Sequence, residues 1–280
     1  MSTADNSGVG IIAGRSSGAR LDHNSSASDG VFGVYMFDSH DGRIDHNSVT
    51  GAHGFSIPVF GSTRIRVTDN VLDGNGHGIA LDHSDDNEIE SNRISHSAGS
   101  SLDFGGSGNR IEGNVVSDSG DGIVGGGVHN LVADNSVTRI GFFGFPDTGG
   151  FGLIVDGGHD DLLLRNSVTD TRGPAIYVAQ LDSPDGADHT IVSRNVASSR
   201  LDDGIHVDAG ATATLLRRNV AYGSGDDGVD IDSTATTLTG NRADHNSDLG
   251  IEAVPGVIDG GGNRASGNGN PLQCTNLACS

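Results

Sequence analysis

An asparagine that returns at nearly constant spacing constrains this chain more than any other feature. Asn24, Asn47, Asn70, Asn92, Asn114, Asn135, Asn166, Asn195, Asn219, Asn241 and Asn263 are separated by 23, 23, 22, 22, 21, 31, 29, 24, 22 and 22 residues. Such a period marks a repeat architecture in which each unit buries its apolar side against its neighbours. Three positions before the asparagines stand Leu21, Ile44, Val67, Ile89, Ile111, Val132, Leu163, Val192, Leu216 and Leu238. Two positions after them, Val49, Leu72, Ile94, Val116, Val137 and Val168 give way to Ala197, Ala221, Ala243 and Ala265. Earlier in each unit, apolar pairs such as Ile79/Leu81, Ile176/Val178, Ile205/Val207 and Val229/Ile231 have one residue between them, the period of a strand.

A unit of about 22 residues, built of short strands and polar turns, is enough for one coil of a parallel β-helix. No unit offers ten consecutive residues with helical amphipathicity, which excludes helical solenoids. The expectation is therefore an all-β, single-stranded parallel β-helix of about 11 coils, one domain over residues 1–280 with coils at 8–270 and a C-terminal cap at 271–280. Coils stacked at roughly 4.8 Å would form a rod about 50 Å long. The asparagines should form an internal ladder, each amide bonding the next coil while its own backbone takes a turn conformation that Asn tolerates. An apolar content of 34% is low, but apolar residues at matched offsets argue for order over disorder.

The net charge of −21 argues against nucleic acid and anionic membrane surfaces as partners, and leaves cations, neutral glycans or a metal. No apolar run is long enough to span a membrane, and no signal peptide is present; the chain opens directly in a repeat, as though a leader and an end cap had been removed. Cys274 and Cys279 are too close to form a four-ligand zinc site by themselves. A small terminal disulfide is expected, and with it an oxidising, extracellular location.

Units such as GIALDHSDDNEIESNRIS and GLIVDGGHDDLLLRNSV resemble the right-handed parallel β-helix proteins of the NosD-like and pectate-lyase-like carbohydrate-binding and sugar-hydrolase families, over nearly all of residues 8–270. The tail GNRASGNGNPLQCTNLAC resembles the C-terminal end of secreted bacterial members. The resemblance implies right-handedness, which periodicity alone does not give. It implies no single activity, since lyases, hydrolases, epimerases and non-enzymatic proteins share the fold. It also implies that the working surface is the outer face of the opening strand of each coil.

On that face the first coils present Ile12, Tyr35, Phe37, Pro58 and Phe60, which could stack on sugars or be covered by a cap or partner. Farther along come Asp82, Asp103, Asp156 and Tyr177, then His206, Asp208, Asp230, Asp232 and Glu252. Residues two apart on a strand lie about 6.5 to 7 Å apart on one side, and equivalent residues of adjacent coils about 4.8 Å apart. His206 should stack on Asp230 and Asp208 on Asp232. Carboxylates so close cannot all ionise independently, so one can hold a proton as a general acid. This suits glycoside hydrolysis, with Asp208 or Asp230 as acid, Asp232 as base and His206 adjusting protonation. Polygalacturonase-like relatives place aspartates and a histidine on neighbouring coils of this face, but SGDDGVDID lacks their full motif set.

Two long units insert residues 139–152, with Phe142, Phe143, Phe145 and Phe151, and residues 179–190. Insertions in solenoids map to loops that frequently line the binding face, so Phe142, Phe143 and Phe145, with Asp156, Tyr177 and Glu252, are the candidate substrate contacts. The acid pairs Asp202-Asp203, Asp226-Asp227 and Asp85-Asp86 read as polar turn residues, and His23 and His46 as surface residues on another face.

The favoured reading is an exported, polysaccharide-active hydrolase that needs no cofactor. The rival is a non-catalytic glycan-binding or surface protein whose patch holds Ca²⁺ or nothing. A lyase or epimerase is the third option; Arg172 and Arg200 could supply a base, but the chain has no Lys and lacks the DPHE signature of mannuronan epimerases.

Overall fold

A computed structural model describes residues 2–4, 8–27, 30–144, 149–181 and 186–280. Three parallel sheets run the length of the molecule, and each coil contributes one strand to each. Sheet 1 has eleven strands, from Val9–Gly14 to Ile251–Ala253; sheet 2 has eleven, from Arg20–Asp22 to Ile258–Asp259; sheet 3 has twelve, from Ser2–Ala4 to Arg264–Ser266. The expected right-handed, single-stranded β-helix is the fold observed.

The repeating aliphatic columns are its core. Ile44, Val67, Ile89, Ile111, Val132, Leu163, Val192, Leu216 and Leu238 line sheet 2 from inside with no solvent exposure. Val49, Leu72, Ile94, Val116, Val137 and Val168 line sheet 3 in the same way, none more than 1% exposed. Each buried Val, Leu or Ile contributes about 1.5 to 3 kcal/mol, and no aromatic core is needed. At the C-terminal end Cys274 and Cys279 form a disulfide, and with Leu277 they pack against the last core residues.

The asparagine ladder runs unbroken from Asn24 to Asn263. Asn92 shows the unit: its backbone N–H and its side-chain Nδ2 both donate to Oδ1 of Asn114, each at 3.0 Å, and Nδ2 also donates to the Val67 carbonyl at 2.8 Å. The amide thereby clips three coils together with its hydrogen-bonding capacity filled.

One expectation is corrected. The left-handed turn residue is not the asparagine but the residue before it, as at His46, Asp69, Ser91, Asp134, Arg165, Arg194 and Arg218, all at φ between 54° and 59°. The asparagine itself must aim its amide along the stack. The sharp bend between sheets 2 and 3 therefore falls one residue earlier, on a side chain that points to solvent.

Further ladders, unforeseen from the sequence, reinforce the other corners. Asn87, Asn109 and Asn130 accept backbone N–H groups between sheets 1 and 2, and Asn246 and Asn268 do so between sheets 3 and 1.

Candidate active site

The last three coils of sheet 1 open with related segments, DDGIHVD at 202–208, DDGVDID at 226–232 and DLGIEAV at 248–254. Their glycines are steric necessities. A Cβ on Gly204 would lie 3.0 Å from the Ala221 Cβ, and one on Gly228 would lie 2.8 Å from the Ala243 Cβ and 2.6 Å from the Gly250 carbonyl oxygen.

Asp203 and Asp227, the residues before Gly204 and Gly228, are buried, which corrects their reading as polar turn residues. Asp203 Oδ1 accepts the Asp227 N–H at 3.0 Å, and Asp227 Oδ1 accepts the Leu249 N–H at 2.6 Å. They form a short carboxylate ladder. The available signal was the DDG triplet repeated at one offset in consecutive coils, which isolated turns would not require.

Above this ladder, Ile205/Val207, Val229/Ile231 and Ile251/Ala253 turn inward, so His206, Asp230 and Glu252 face out in register, with Tyr177 one coil earlier. His206 is the hub. Its Nδ1 lies 3.1 Å from Asp203 Oδ2 and 3.2 Å from Asp230 Oδ2. Its Nε2 lies 3.6 Å from Asp208 Oδ1 and 3.8 Å from Asp232 Oδ2. Burial alone would lower the imidazole pKa, but the hydrogen bonds and charges of Asp203 and Asp230 outweigh it and raise the value to about 10. At neutral pH the ring is an imidazolium.

The carboxyl groups differ in environment. Asp232, half exposed, is raised above the usual carboxylate range by partial burial and by the Asp230 charge, against the opposing pull of His206. Asp227 is raised by burial and by a hydrogen bond shared with Glu252. Asp208 accepts the Tyr177 hydroxyl at 2.8 Å and the Gln180 N–H at 3.0 Å.

The structure brings Asp208, Asp230, Asp232 and His206 together and places Glu252 beside them. The other candidates have different surroundings. Tyr177 is a buried wall: its ring packs 5.4 Å from Phe151 and edge-on to His206 at 5.1 Å, and burial with the Asp208 bond holds its phenol above the usual range. Asp156 accepts the Leu181 N–H at 2.8 Å and so ties down the start of the 179–190 insertion.

Phe142 and Phe143 lie at the corner of sheets 3 and 1, away from the acidic cluster. Arg200 sits over Phe142 at 4.9 Å, and Phe143 meets His96 edge-on. Phe145 falls outside the described residues. Of the described phenylalanines in that insertion, Phe151 is the one that reaches the site, through Tyr177. At the other end of sheet 1, Tyr35, Phe37 and Phe60 form a partly buried cluster of ring contacts with Phe32 and Phe55, and Pro58 is buried.

This architecture defines the class. The chain belongs to the family described as right handed beta helix region, matched in overlapping stretches at residues 2–137, 78–243 and 145–276. No curated protein matches the chain at a significant level. Among solved structures it superposes on the mannuronan C-5 epimerase AlgE6 A-module of Azotobacter vinelandii with a TM-score of 0.59 at 12% identity, over 90% of this chain and 76% of that one. On the catalytic unit of a thermostable GH87 α-1,3-glucanase from Streptomyces thermodiastaticus the TM-score is 0.55 at 14% identity, over 94% of this chain. That match spans 62% of the glucanase unit, so the chain corresponds to less than two thirds of its length. At these identities the likeness establishes the fold.

Proposed function

We propose that the protein is an exported glycoside hydrolase that cleaves an extended, neutral glycan lying along the outer face of sheet 1. The observation that carries this is the convergence of Asp203, Asp208, Asp230 and Asp232 on one imidazolium at an open face. The terminal disulfide is in keeping with an oxidising compartment.

Asp232, raised and reachable by solvent, is the general acid that protonates the leaving oxygen. Asp230, held by His206, is the base that takes a proton from the attacking water. These roles reverse those expected from the sequence, because burial and the Asp230 charge act most clearly on Asp232. Asp203 and Asp208 position His206, and Tyr177 positions Asp208. Asp230 and Asp232 alternate on one strand about 6.5 to 7 Å apart, a separation that leaves room for water and so leads to inversion. The arginine-based lyase alternative finds less support: none of the eleven strands of sheet 1 contains arginine, and Arg200 is engaged by Asp170 and Phe142.

The test is a panel of neutral and acidic polysaccharides with product analysis. Cleavage with inverted anomeric configuration, lost in Asp232→Asn and Asp230→Asn, is expected. Unsaturated products would replace this reading with a lyase.

A second reading is a Ca²⁺-binding surface, favoured by the all-oxygen trio Asp227, Asp230 and Glu252, whose ligand atoms lie within 4.8 Å of one another. A melting temperature that rises with Ca²⁺ in wild type but not in Asp230→Asn, without glycan cleavage, would select it.

A further inference from the structure

The corner between sheets 2 and 3, which does not border the groove, carries the opposite charge. The left-handed position before each ladder asparagine stacks from coil to coil, and in the C-terminal half it runs Asp134, Arg165, Arg194, Arg218. Backbone bonds join these coils, Arg165 N to Ser193 O at 3.0 Å and Arg194 N to Arg217 O at 3.1 Å. Arg165, Arg194, Arg217 and Arg218, with Leu164 and Leu215, line a pocket of about 520 Å³.

Six arginines of the described residues sit at left-handed turns: Arg15, Arg64, Arg139, Arg165, Arg194 and Arg218. Four of them pair with an aspartate in the same column of an adjacent coil. Arg64 meets Asp41 through two bonds of 2.7 and 3.2 Å, Arg139 meets Asp118 through two of 2.6 Å, Arg165 meets Asp134 through two of 2.8 and 2.5 Å, and Arg15 lies 3.6 Å from Asp38. Arg194 and Arg218 break the pattern. Their column neighbours are arginine and glycine, and among the described residues neither forms an ion pair, in a chain with 37 acidic against 16 basic residues. Among the described residues the Arg217 side chain beside them forms no ion pair and donates to the Ser193 hydroxyl at 3.2 Å.

We infer that this corner binds a linear carboxylated polysaccharide, whose carboxylates take on Arg194 and Arg218 the place that Asp134 takes on Arg165. The guanidinium fork matches a carboxylate in two parallel bonds, as the protein's own pairs show. The column repeats once per coil, with the stacked His23 and His46 rings 4.9 Å apart, comparable to the advance of one sugar along an extended chain. Single-stranded nucleic acid is a poorer fit, because no aromatic side chain lines this pocket for bases to stack on. The site is independent of the hydrolase reading. It would anchor the protein to an acidic matrix while leaving the groove free.

The experiment titrates the full chain into fluorescently end-labelled oligogalacturonate at low salt and follows anisotropy. Saturable binding that weakens with added NaCl is expected. Arg194→Gln/Arg218→Gln should weaken it roughly tenfold or more with an unchanged melting temperature, since both side chains are exposed. Arg194→Lys/Arg218→Lys keeps the charge but loses the fork, and should also bind more weakly. Asp230→Asn/Asp232→Asn, which disables the groove, should bind at least as tightly as wild type, so failure of the hydrolase reading is separable. No binding, full binding by the Gln variant, wild-type binding by the Lys variant, or equally tight binding of a single-stranded DNA oligonucleotide would each overturn the assignment.

Discussion

His206 is held between four carboxylates, and this sets a pH window. Its folded-state pKa of about 10 stands above the ordinary 6.5, so the folded state binds the proton more tightly. The resulting stability is complete below pH 6.5 and disappears as pH rises toward 10. His206→Gln should therefore melt several degrees below wild type at pH 6, with the gap closing near pH 10, as differential scanning fluorimetry would show. Asp103 behaves in the opposite sense. Burial, with the Asp121 charge adding to it, raises its pKa from 3.8 to about 6, so the folded state binds the extra proton between those values and stability falls as pH rises through them. Asp103→Asn should raise the melting temperature at pH 7, a relief on the order of 2 kcal/mol, and change little at pH 3.5. Neither shift was legible in the sequence. Both depend on burial and on charges that only the folded coils bring close: Asp203 of its own coil and Asp230 of the next for His206, and Asp121 of the next coil for Asp103.

At the scale of the coil, the ladder and the glycines carry the fold. Asn114→Ala would leave the Asn92 backbone N–H and one Asn92 amide hydrogen without their partner and remove the bond that Asn114 donates to the Ile89 carbonyl. Buried orphans of this kind cost about 1 to 3 kcal/mol each, so a loss of roughly 3 kcal/mol or more is expected in chemical denaturation. Gly228→Ala tests how the site is built. Its Cβ would lie 2.4 Å from Asn246 Nδ2 and 2.6 Å from the Gly250 carbonyl oxygen, overpacking worth about 1 to 3 kcal/mol. The strain falls between Asp227 and Val229, so any glycan cleavage should drop more steeply than stability; an unchanged rate would show that the position of Asp230 does not depend on this contact. The strands, columns and main ladder were readable because each repeats at a fixed offset. The secondary ladders were not, because their members change identity from coil to coil among Asn, Ser and Asp.

For the molecule as a whole, charge and form are coupled. A net charge of −21 along one rod repels itself, while the ion pairs on its corners are exposed and worth about 0 to 1 kcal/mol apiece. Raising ionic strength from about 0.01 to 0.15 M shortens the screening length from roughly 30 to 8 Å. The melting temperature should rise; a fall would mean that the arginine–aspartate pairs outweigh the repulsion. The sequence by itself determined the coil, the number of coils, the inward and outward sides of each strand and the alignment of His206 with Asp230, because all of these follow from a period and an alternation. Only the tertiary structure decided that Asp203 and Asp227 turn inward, that Tyr177 is a wall, that Phe142 and Phe143 leave the groove, and that Arg194 and Arg218 stack without carboxylates. Those outcomes depend on contacts between coils and on which charges meet across a corner, neither of which a repeat length encodes.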